Sequence, residues 1–137
     1  MEMTNLEGTS RFLMAAATVF LDAEDECGIR RLLETHSVQV IPAQGVQEAI
    51  ATAAPVILLD GDGHNSWAKS LQEILTARPA ARVVVLARNA DNRMWADVLS
   101  QGAHDLLQKP LVPSEVRFVV LGALRTEQQI FASAMAV

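Results

Sequence analysis

Residues Pro55-Val56-Ile57-Leu58-Leu59-Asp60 constrain the fold more than any other feature of the chain: a proline, four apolar residues, then a carboxylate where the run ends. A strand apolar at successive positions buries both of its faces, as in a parallel sheet covered by helices on both sides. In an open sheet of that kind, reactive groups collect beyond the carboxyl ends of the strands. A second short apolar run closes with Lys109-Pro110, so an acid and a base are expected to face one pocket.

The 137 residues suffice for one domain with one sizeable core. Half of them are hydrophobic and a fifth are charged, which describes a globular domain rather than a disordered segment. The net charge is −5 and the cations are scattered, so the electrostatic footprint of a nucleic-acid binder is missing. Cys27 stands alone, which excludes an internal disulfide and agrees with a reducing cytoplasm; a small buried hydrophobe is its expected role. The apolar stretch Phe12 to Leu21 is half the roughly 20 residues needed to cross a bilayer, and Glu2 and Glu7 before it carry the wrong charge for a secretory leader.

Strand-like and helix-like segments alternate along the chain. The expected strands are Ala17 to Leu21, Val38 to Ile41, Val56 to Leu59, Arg82 to Leu86 and Asp105 to Gln108. The expected helices are about Asp25 to Thr35, Val46 to Thr52, a segment with Leu71, Ile74 and Leu75 as its stripe that ends before Pro79, Asp91 to Gln101 stopped by Gly102, and a last helix opened by Pro113 that runs on through Gln129 and Phe131. Five strands joined by helices imply right-handed crossovers and a parallel sheet covered on both faces.

With these segments placed, the chain resembles the receiver domain of bacterial two-component response regulators, the CheY-like family. The resemblance is carried by Asp22-Ala23-Glu24-Asp25-Glu26 after the first strand, Leu58-Leu59-Asp60, Gly102-Ala103-His104-Asp105 and Gln108-Lys109-Pro110. It covers roughly residues 17–127, leaving 1–16 as an N-terminal extension and 128–137 as a helical extension or linker. It implies a doubly wound, flavodoxin-like (βα)5 fold with strand order 2-1-3-4-5.

The resemblance further implies a receiver in a phosphorelay: Asp60 accepts a phosphoryl group from a sensor histidine kinase, a phosphotransfer protein or a small phosphodonor. Mg²⁺ is then held by acidic residues, and Lys109 pairs with the carboxylate or a phosphoryl oxygen. These roles make chemical sense, because a carboxylate is a competent nucleophile and a hard cation offsets the charge on phosphoryl oxygens. The metal ligands align in two ways. Asp22 placed directly after Val19-Phe20-Leu21 keeps a charge out of the strand and leaves Glu24 or Asp25 as an auxiliary ligand. Counting back from Ile29 and Leu32 makes Glu24 and Asp25 the pair, at the cost of burying Asp22 in a strand.

Departures from the family pattern bear on output. Ala87 stands where the family has a Ser or Thr that bonds the phosphoryl group, and Leu106 where it has a switch aromatic, so the usual coupled movement has no side chains to run on. A phosphorylation-independent pseudo-receiver, a protein-interaction module, is therefore the competing reading. Arg88 either reaches over the pocket towards Asp60 or Asp62 or is solvated, and His64 either meets a phosphoryl group or is solvated. Asp60-Gly61-Asp62-Gly63 is also similar to the nucleophile motif of haloacid dehalogenase-like phosphatases, but the chain has no room for the remaining catalytic loops and a cap. An independent enzyme is not expected.

The family's interaction face, helix four with strand five and helix five, carries Trp95, either packed into the core or exposed as an interface anchor. A homodimer through that face is one expected assembly.

Overall fold

A computed structural model describes residues 14–62 and 66–136. Most of the proposed N-terminal extension and His64 lie outside them. The described elements are β1 (Ala15–Val19), α1 (Ala23–Thr35), β2 (Gln39–Ala43), α2 (Val46–Ala51), β3 (Val56–Asp60), α3 (Trp67–Ala77), β4 (Arg82–Ala87), α4 (Asn92–Ser100), β5 (Asp105–Gln108) and α5 (Pro113–Ala136). All strand pairs are parallel and the order is β2-β1-β3-β4-β5, the doubly wound arrangement expected from the sequence.

Side-chain alternation along each strand builds two cores. Ala17, Val19, Ile57, Leu59, Val83, Val85 and Leu106 face one side, where α2, α3 and α4 contribute Val46, Ala49, Leu71, Ile74 and Val98. Ala16, Val56, Leu58, Val84, Leu86 and Leu107 face the other, where α1 and α5 contribute Ile29, Leu33, Val116, Val120 and Leu124. Every residue of β3 is buried, which is why its sequence is apolar without alternation.

The first strand begins two residues earlier than expected and ends at Val19 rather than Leu21, so it takes residues assigned to the extension. Its three alanines have little strand preference of their own; burial between two neighbours overrides that. Phe20 leaves the strand with φ 65°, in the left-handed region that a non-glycine side chain seldom occupies. β2 runs to Ala43 and includes Pro42, which fits because β2 is an edge strand, where a missing N–H need not cost a ladder bond.

Cys27 is exposed, against the expectation of a buried hydrophobe. Helix α1 turns only Ile29 and Leu33 fully into the core, and Cys27, two residues before Ile29, projects from its far side. Gly102 has φ 102° and follows α4, as a glycine helix stop should.

Candidate functional site

At the carboxyl edge of the sheet, strand ends bring acids and one lysine together. Asp60 is the last residue of the central strand β3, and Lys109 follows β5, fixed by its own N–H donating to Ala87 O at 2.9 Å. The peptide bond after it, Lys109-Pro110, is cis. Lys109 Nζ donates to Asp60 Oδ1 at 2.5 Å, and both side chains are only 8% exposed. Asp62 Oδ2 lies 3.4 Å and Asp25 Oδ2 3.5 Å from the same ammonium.

Burial alone would lower the Lys109 pKa. The hydrogen bond and charge of Asp60, helped by Asp62, outweigh it and raise the pKa above the ordinary lysine value. The ammonium is therefore permanently charged at neutral pH, and three carboxylates share it, leaving an excess of negative charge at the strand ends.

The sequence's two alignments of the acidic segment separate here. Asp22 is not at the strand end: it is the N-cap of α1, and its Oδ1 accepts the Asp25 N–H at 2.8 Å. Glu24 is exposed and borders a groove with Asp25, Pro110 and Pro113. Asp25, in the first turn of α1, is the residue of that segment that reaches Lys109. The strand ends two residues earlier than the sequence suggested, at Val19, so Phe20 and Leu21 intervene before the cap.

Asp25 and Asp60, carboxylates of the kind a hard divalent cation takes as ligands, are the residues that would hold one here. Among the described residues no three His, Cys, Asp or Glu side chains form a ready-made metal cluster. Such a cation would take its remaining ligands from water and backbone.

Ala87 is buried at the end of β4 and Leu106 is buried in β5, so neither position offers a hydroxyl or an exposed ring to the site. Arg88 does contact Asp62, but through its backbone: its N–H donates to Asp62 Oδ1 and Oδ2 at 3.1 and 2.9 Å, while the residue is exposed. This contact carries no sequence signal, because every residue but proline owns an amide N–H.

Trp95 is 49% exposed and Phe118 81% exposed, which settles the two readings of Trp95 in favour of the surface. Helix α4 buries only Val98 fully. Trp95, Leu106 and Phe118 border a shallow groove of about 410 Å³ between α4, β5 and α5.

No protein-family model matches the sequence, and no curated protein does. Solved structures do match. NtrX from Brucella abortus aligns over 90% of this chain with a TM-score of 0.78 at 18% identity. This chain spans only 29% of that protein. The beryllofluoride-activated NtrC4 receiver domain, determined as a dimer, aligns over 83% of this chain and 98% of its own, with a TM-score of 0.74 and 18% identity. The chemotaxis response regulator CheY4 of Vibrio cholerae aligns over 82% and 97%, with a TM-score of 0.65 and 17% identity. The chain thus has the flavodoxin-like fold of CheY-like response regulator receiver domains, as the sequence motifs implied. Among the described residues no helix is long and apolar enough to cross a membrane.

Proposed function

We propose that this chain is a phosphoryl-accepting receiver of two-component signal transduction, with Asp60 as the acceptor. The observation that carries the reading is the buried Asp60–Lys109 pair at the carboxyl edge of a receiver-fold sheet. An Asp60 carboxylate oxygen attacks phosphorus of a phosphohistidine or of acetyl phosphate, a P–O bond to Asp60 forms, and the bond to the donor breaks as imidazole or acetate leaves. Lys109 holds the carboxylate and then stands beside the new phosphoryl oxygens as a fixed positive charge. Mg²⁺ held by Asp25 and Asp60 would supply further neutralisation of the phosphoryl charge.

The partner is a sensor histidine kinase or a phosphotransfer protein in the cytoplasm, and the α4–β5–α5 face with Trp95 and Phe118 is the surface for the output partner or a second copy. A dimer of the NtrC4 receiver is precedent for self-association of this fold.

The test is gel mobility on a phosphate-affinity matrix after incubation with acetyl phosphate. A shifted band for the wild type that disappears in Asp60→Asn and without Mg²⁺ is the expected result. An unshifted band from folded wild-type protein overturns the reading. Burial of Ala87 and Leu106, with no hydroxyl at the end of β4, favours the second reading of a phosphorylation-independent interaction module, which predicts partner binding unchanged in Asp60→Asn.

A further inference from the structure

The β3–β4 ladder does not stop at Asp60. The Gly61 N–H donates to Leu86 O at 2.7 Å, strapping the start of the following loop to the neighbouring strand. Any other residue would make its neighbours shift: a Cβ at position 61 would lie 2.9 Å from Val85 Cγ1 and 3.2 Å from Leu86 O. This strap carries Asp62 to the first residue after β4, where both of its oxygens accept the Arg88 N–H and Oδ2 lies 3.4 Å from Lys109 Nζ.

Both donors lie close to Asp60: Lys109 is bonded to it, and Arg88 follows Leu86, the residue paired with Asp60, by two positions. Asp60 is paired with Leu86, so a phosphoryl group on its oxygen emerges beside the end of β4 and against the ammonium already bonded to Asp60. Ala87 has no hydroxyl to offer, which leaves the Arg88 amide as the donor of that strand end. The Asp62 carboxylate holds both donors in the resting protein.

We infer that Asp62 is an internal anion that occupies the phosphoryl-receiving corner and has to swing outward before Asp60 is modified. The inference rests on the reading of Asp60 as acceptor. Asp62 is itself exposed, so a path to solvent is open to the side chain. It acts as a gate: it competes with the incoming phosphoryl oxygens for Lys109 and Arg88, and it repels an anionic donor at contact distance.

The experiment compares the initial rate of acetyl phosphate labelling of wild type, Asp62→Asn and Asp62→Ala at saturating Mg²⁺, with thermal melts as the check that each variant is folded. Both variants should label roughly tenfold faster than wild type, the scale of one charge-assisted hydrogen bond. The gain should persist at high ionic strength, which screens an exposed charge but not a contact. A wild type that labels while folded variants label no faster overturns the gate and leaves Asp60 as acceptor. A gain that vanishes with salt also overturns it, because the effect is then one of general charge. Labelling of neither wild type nor variants overturns both readings together.

Discussion

Lys109 Nζ and Asp60 Oδ1 meet at 2.5 Å across 49 residues of chain, and both are buried. A pair so placed is held by the fold rather than by local preference, because β3 and β5 are separated by β4 in the sheet and meet only at their ends. Its surroundings are lopsided, with Asp25 and Asp62 also drawn to the one ammonium.

Removing the cation should therefore cost more than removing an acid. Lys109→Met leaves three carboxylates without a counter-charge and is expected to destabilise the fold by about 3 kcal/mol. Adding Asp60→Asn to that variant should recover part of the loss. Urea unfolding of the four proteins of this cycle measures it, and strictly additive effects would show that the pair is not coupled.

The two candidate metal acids should part in solution. Asp22→Ala removes the cap of α1 and should cost about 1 kcal/mol of stability while leaving the Mg²⁺ dependence of labelling in place. Asp25→Asn should do the reverse, raising the Mg²⁺ concentration needed. Titration of labelling against Mg²⁺ decides, and a larger shift in the Asp22 variant would return the ligand role to the cap.

Gly61→Ala introduces a methyl group into the contact with Val85 and Leu86 and should destabilise by about 1–3 kcal/mol. Its melting temperature is the readout, and an unchanged value would mean the β3–β4 strap yields freely.

His104 sets an acid limit. Burial lowers its pKa below the ordinary 6.5, the nearby Arg82 charge acts the same way, and Asp105 opposes them. The folded protein then binds fewer protons at this ring than the unfolded chain, so its contribution is complete above that ordinary value and is lost as pH falls through it towards the lower folded pKa. Urea midpoints over roughly pH 5–7 should fall with acid in wild type and fall less in His104→Gln. Parallel slopes would place the proton uptake elsewhere.

Trp95, half in solvent on a helix that fully buries only Val98, should tolerate Trp95→Ser within about 0.5 kcal/mol. Acrylamide should quench its fluorescence readily. A loss of several kcal/mol would mean that the ring supports the core rather than a partner surface.

The strands and the Asp60–Lys109 pair were legible in the sequence because they are written in side chains: an unbroken apolar run, a charge at its end, and proline and glycine at the element boundaries. β1 was placed two residues late because alanine carries no strand signal and neighbouring strands alone make it one. The same shift of register puts Asp22 at the cap of α1 and Asp25 beside Lys109. Cys27 was misjudged by residue type and Trp95 was left open, since which face of a helix a residue occupies decides its exposure. Arg88 was paired with Asp62 through its side chain as one reading, but the contact is made by its backbone amide, which no residue type announces.

The ends of the sheet have a consequence for assembly. On one side lies β2, which contains Pro42, and on the other β5, which is four residues long. A proline-bearing edge and a short one are poor templates for a visiting strand, so backbone-to-backbone extension of the sheet from one molecule to the next is discouraged at both margins. Association of this chain is thereby left to side chains on helical faces, where partner choice can be made by residue identity.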